Sequence, residues 1–163
     1  MRFPEVYLEQ VVETQGALFD AFAAQRPDRS TEDFIVAYMK SRTRAEIDAG
    51  QAWVATMEAD DLLVRFLSEG YVPKPGRALA GFVPDWIGRF YATAQWMLDE
   101  TSSRMVERFP LHFLEAAYPG LHDLELDLAV RKAAGIGDSY PVVMVPSACV
   151  AEGGAVYDKT GGS

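Results

Sequence analysis

Apolar residues recur at three- and four-residue steps along most of the chain before residue 136, the period of an amphipathic helix. The strongest such stretch is Pro84 to Leu98, where Trp86, Ile87, Phe90, Tyr91, Ala94, Met97 and Leu98 share one wide apolar face. Pro84 suits a first helical turn, whose amides have no internal partner, and Asp85 complements the positive end of the helix dipole. This segment is expected to be the central helix. Trp96 falls outside its main apolar face, on a strip with Arg89 and Ala92, and is assigned either to a second layer of protein or to a partner contact.

The same period predicts a first helix from Pro4 to about Ala24, its stripe of Tyr7, Leu8, Val11, Val12, Leu18, Phe19 and Phe22 interrupted at Gln15 and Gly16. Arg26 to Arg29 breaks it. Ser30 followed by Asp33 predicts the cap of a second helix carrying Phe34, Ile35, Tyr38, Met39 and Ile47 inward and ending near Gly50. Lys40, Arg42 and Arg44 are placed on its outer face, with Lys40 and Arg44 one turn apart, either as a solvated helix surface or as a basic spot for a phosphate or an acidic partner surface. Gln51 to Ala55 lacks a clear period and reads as a link, with Trp53 over the core edge and Thr56 capping a third helix built on Leu62, Leu63, Phe66 and Leu67. Glu58, Asp60 and Asp61 in its first turn suit the dipole better than a metal site, because neighbouring helical residues diverge.

Two prolines make Tyr71 to Arg77 a connection within one domain. After the central helix come short helices around Met105, Val106 and Phe109, then Leu111 to Tyr118 stopping at Pro119-Gly120, then Asp123 to Ala134. The expectation is therefore an all-α single domain of about six helices over residues 1–135, with an extended or flexible C-terminal tail over residues 136–163. Pro141 and Pro146 bracket the apolar run Val142, Val143, Met144 and Val145, which is suited to adding a strand to a partner's sheet edge or pairing with another copy. The closing Gly161-Gly162-Ser163 is set aside.

Composition changes this picture in two respects. A formal charge of -9 in 163 residues disfavours nucleic acid and anionic lipid as partners, and no apolar run reaches the ~20 residues of a membrane span. The lone Cys149 leaves nothing dependent on an oxidising compartment, so a cytoplasmic location is expected.

Candidate chemistry is sparse. His112 lies one helical turn from Glu115, and His122 precedes the last helix, where bonding a backbone carbonyl is its ordinary role. No phosphate loop, dinucleotide fingerprint or nucleophile elbow is present, and the His112–Glu115 spacing, which could join a metal site, has no second ligand cluster to complete it, so no cofactor, metal or catalytic residue is assigned. The segment Asp85-Trp86-Ile87-Gly88 with Tyr91 and Trp96, then Ser103, then Leu121-His122-Asp123-Leu124 and Ala129, resembles a family of small uncharacterised bacterial all-α proteins with a DWIG-type aromatic helix. The similarity runs from Phe34 to Ala133, departing at Pro119-Gly120, at Asp123 and in the long tail.

That resemblance implies a non-enzymatic protein-binding module: an antitoxin-like or inhibitory partner of the kind encoded beside predicted ADP-ribosyltransferase-type toxins. Partner contacts are expected at Arg89, Trp96, Lys40, Arg42 and Arg44, and at Val142, Val143, Met144 and Val145 of the tail. Two alternatives stand beside it: an enzyme of unrecognised type using His112, His122 or Cys149, and a small DNA-binding regulator.

Overall fold

The structure is a computed structural model and describes residues 2–135; the tail expectations, including Val142 to Val145 and Cys149, lie outside the described residues. Among the described residues every regular element is helical. A single 3-10 turn, Glu5–Tyr7, leads into α1 (Leu8–Gln25). Then follow α2 (Thr31–Met39), α3 (Arg42–Asp48), α4 (Ala52–Ala55) and α5 (Ala59–Leu67). A long connection reaches α6 (Val83–Leu98), followed by α7 (Ser102–Arg108), α8 (Leu111–Leu121) and α9 (Leu126–Ala133). The all-α class holds, with nine helices among the described residues where about six were expected.

The centre is the packing of α1 on α6, the most extensive in the fold. Its closeness comes from two glycines. A Cβ on Gly16 would lie 2.6 Å from Asp85 Oδ1, and one on Gly88 would lie 2.6 Å from the Gln15 carbonyl oxygen and 2.8 Å from the Gly16 Cα. The backbones therefore approach where any side chain would collide. Gln15 and Gly16, which interrupt the apolar stripe in sequence, sit buried in the middle of this contact. Trp86, Ile87, Phe90 and Tyr91 are all buried, and Tyr91 donates from its hydroxyl to the Phe109 carbonyl at 2.6 Å. A second aromatic group, Phe19, Phe22, Phe34, Tyr38 and Phe66, fills the space between α1, α2 and α5, with Phe22 stacked on Phe34 at 3.8 Å between centroids.

Several boundaries differ from the sequence expectation. The expected second helix is two helices. Ser41 accepts from the Arg44 amide at 3.0 Å and donates to the Tyr38 carbonyl at 2.7 Å, ending α2 and capping α3 with one hydroxyl. Glu69, two residues past the end of α5, takes the other free amides of α3, Arg42 N at 3.1 Å and Thr43 N at 2.7 Å, and also accepts from the Thr43 hydroxyl. Gln51 to Ala55 is not a bare link, since it contains α4; Glu58, not Thr56, occupies the cap position of α5. Finally, α8 continues through Pro119 to Leu121, because a proline in the last turn deletes one intrahelical bond and leaves the preceding turns intact. Ser30 caps α2 as expected, accepting from the Asp33 amide at 3.0 Å.

Candidate functional site

The residues singled out in sequence separate into an interior group and scattered surface positions. Arg44 is fully buried, which corrects its placement on an outer face beside Lys40. The break at Ser41 restarts the helix in a new direction, and the side chain of Arg44 enters the junction of α1, α3, α6 and α7 instead of continuing the surface of α2. There its Nε donates to Gln15 Oε1 at 2.7 Å, Nη1 to Asp48 Oδ1 at 2.6 Å and Nη2 to Gln95 Oε1 at 2.7 Å. Gln15 Nε2 continues to the Gly88 carbonyl at 2.8 Å, and Gln95 Nε2 to Asp48 Oδ1 at 2.6 Å. The other Asp48 oxygen accepts from the Ser102 amide at 3.0 Å. The Ser102 hydroxyl lies within bonding distance of both Asp48 Oδ2, at 3.0 Å, and the Met39 carbonyl, at 2.8 Å.

In this network the buried cation faces a carboxylate, and every guanidinium nitrogen has an oxygen partner. Such closure is what allows a charge to remain in a protein interior. Beside it lies a cavity of about 10 Å³ lined in part by Val11, Gln15, Tyr38 and Leu62, room for about one water molecule. Burial pushes the Tyr38 hydroxyl up to about 12, which keeps it protonated. The cluster is a polar bolt through the core; it presents no reactive group to a substrate.

The other expected contacts are dispersed. Trp96 is 4% exposed, in the core, with the Arg2 guanidinium 4.3 Å from its ring centroid; this is the second-layer alternative and not a free surface. Lys40 pairs with Glu107 at 3.7 Å, and Arg89 with Asp85 at 3.0 Å one turn away. Arg42 is exposed at the start of α3. Lys40, Arg42 and Arg44 therefore do not form one basic patch. His112 and His122 stand at opposite ends of α8, ten residues and about 15 Å apart along the axis. The His122 ring stacks on Tyr118 at 4.5 Å, and its Nδ1 is 2.9 Å from the Tyr118 carbonyl; the backbone-carbonyl contact read from sequence is present, but at the C-terminus of α8, and Glu125 holds the cap position of α9. Among the described residues no group of three or more His, Cys, Asp or Glu could hold a metal ion.

Sequence reasoning missed two groupings. The first is a carboxyl pair: Glu32 of α2 and Glu115 of α8 both face Arg77, whose Nη2 lies 3.5 Å from one and 3.1 Å from the other. The hydrogen bond between the two carboxyls, followed by partial burial and the charge of Glu115, raises Glu32 to about 7 against the opposing pull of Arg77.

The second is the face formed by α4 and α5. Trp53 is 55% exposed, not folded over the core edge, and Val64 is 68% exposed on the neighbouring helix. The indole is braced: the Arg65 guanidinium lies 4.3 Å from its ring centroid, and its Nε1 donates to Gln51 Oε1 at 3.3 Å. Arg65 is itself fixed by two bonds to Glu46 Oε1, at 2.7 and 3.1 Å. Glu58, Asp60 and Asp61 are exposed at the start of α5, and among the described residues none of the three has an ion pair or a side-chain hydrogen bond. One signal for this face was available in sequence, since Val64 lies two residues from both Leu62 and Phe66, on the opposite side of a 3.6-residue helix from the buried stripe.

No protein family, curated protein or solved structure matches the chain. No helix among the described residues is long and apolar enough to cross a membrane.

Proposed function

We propose that this chain is a non-enzymatic, protein-binding module acting in the cytoplasm, and that the α4–α5 face is its binding surface. The observation that carries the reading is Trp53, a large aromatic side chain more than half exposed yet held in one orientation by Arg65 and Gln51. Interface energy concentrates in anchors of this kind, because Trp and Arg supply contact area at little cost in conformational freedom once they are braced. Val64, also exposed, adds apolar surface on α5 one residue before Arg65. An inhibitory or antitoxin-like role, with a toxin as the partner, is the form of this reading suggested by the resemblance of the Asp85 to Gly88 stretch.

Site-specific photo-crosslinking in the native host tests it. A photoreactive phenylalanine analogue replaces Trp53 in one variant and Val72, which is exposed elsewhere, in another. The expected result is one discrete protein adduct from position 53 and none from position 72. The reading fails if position 53 gives no adduct while His112→Ala or His122→Ala abolishes the chain's biological effect in a folded protein.

A further inference from the structure

We infer that the segment seated on Trp53 and Val64 is cationic: a stretch of another protein that presents an apolar side chain flanked by Lys or Arg. This rests on the reading of the α4–α5 face as a binding surface and adds the chemistry of what it binds. The rim of the face decides the charge. Asp61 stands one helical turn before Arg65, whose guanidinium lies over the Trp53 ring, and Asp60 one turn before Val64, with Glu58 at the cap position preceding them. Their place in the first turn of α5 also suits that helix's dipole, but the charges face solvent without a neutralising side chain among the described residues. The cation of the face, Arg65, is committed to Glu46 and to the Trp53 ring.

A partner covering Trp53 and Val64 must therefore take water from the neighbourhood of three carboxylates. Against a neutral or acidic partner that desolvation is unfavourable, whereas Lys or Arg side chains would replace the lost water with charge-assisted hydrogen bonds. The same argument selects among occupants. A second copy meeting this face about a two-fold axis would bring two equally acidic rims into one interface. Anionic membrane and nucleic acid would meet the same repulsion, reinforced by the overall charge of -9.

The test uses the full chain and three synthetic helical peptides of equal length. One has Leu on one face and Lys around it, the second has every Lys replaced by Glu, and the third has every Leu replaced by Ser. Binding is read from the Trp53 indole N–H and Val64 methyl signals in titrations followed by nuclear magnetic resonance, with folding checked by circular dichroism. The Leu/Lys peptide is expected to shift both signals. Its affinity should fall at least about tenfold in Trp53→Ala, in Val64→Ser and in the Asp60→Asn, Asp61→Asn double variant, and decline steeply with salt. The Leu/Ser exchange should weaken binding by a similar factor.

If the Leu/Glu peptide binds the same face as tightly as Leu/Lys, the inference is overturned while the binding reading stands. If Trp53 instead mediates a concentration-dependent dimer, the partner is a second copy and the inference is wrong. If no peptide perturbs Trp53 or Val64, the inference and the binding reading fall together.

Discussion

Arg44 and Arg65 are the same residue type, each bonded to a carboxylate at 2.6 to 2.7 Å, and they do opposite things. Arg44 lies at the junction of four helices with no exposed surface, and its partners are polar groups that would be orphaned without it. Arg65 lies near the surface, over an exposed indole, in contact with water that could replace its bonds. A cation's role in this fold is therefore set by what surrounds its partners. Around Arg44 those partners are locked, so the network specifies how α1, α3, α6 and α7 meet. Around Arg65 they are open, so the cation can orient a side chain for something else to bind.

The sharpest way to break this contrast is to truncate both. Arg44→Ala leaves Asp48 as a buried charge without its cation and is expected to cost about 3 to 5 kcal/mol in denaturant unfolding. Arg65→Ala should cost no more than about 1 kcal/mol, the range of a partly exposed pair with a cation-π contact. Equal losses in the two variants would remove the distinction. Next in size, Gly88→Ala should destabilise by about 1 to 3 kcal/mol, because its Cβ meets α1 backbone that cannot step aside without opening the interface around Gln15. Ser41→Ala, which removes the hydroxyl that ends α2 and starts α3, should cost about 1 kcal/mol. It should also loosen the turn that directs Arg44 inward, visible as faster amide exchange in α3.

The smallest effect concerns pH and contrasts two carboxyls. Glu32, raised to about 7 by its hydrogen bond with Glu115, retains in the folded state a proton that the unfolded chain releases near 4.5. Its contribution is full below about 4.5 and lost as pH rises through about 7, so the melting temperature should decline across that window and decline less in Glu32→Gln. The change is at most about 1 kcal/mol after solvent screening at this partly exposed pair. Glu69 runs the other way: burial alone would raise it, but hydrogen bonds from Thr43 and Arg42 outweigh that and hold it low. Its contribution is present above the ordinary carboxylate range and lost as pH falls through its lowered value. A melting temperature flat from pH 4.5 to 7, identical in Glu32→Gln, would show that the carboxyl pair does not share a proton.

Much of the helical frame was legible because its signals are local. The face of α6, the Ser30 cap and the carbonyl contact of His122 are properties of residues within a few positions of one another. The interior polar network was not legible, because its members lie between 4 and 51 residues from Arg44 or farther along the chain, and nothing in their spacing marks them as partners. Arg44 was misplaced by extrapolating one helical period across Ser41, where a side-chain hydroxyl restarts the helix. Gln15 and Gly16 read as flaws in a stripe because close packing of two backbones has no hydrophobic signature. Trp53 carried no period to place it, and its brace, Arg65, is 12 residues away on another helix.

Binding at α4 and α5 is tested by a hydrogen-exchange difference map of the full chain, taken with and without the Leu/Lys peptide at saturating concentration. Added protection is expected in α4 and α5, over residues 52–55 and 59–67, and no change at Arg44, Gln95 or Ser102, whose surroundings are closed in the free protein. Protection appearing instead on α2 and α7 around Lys40 and Glu107, or along α8 near His112, with α4 and α5 unaltered, would contradict it.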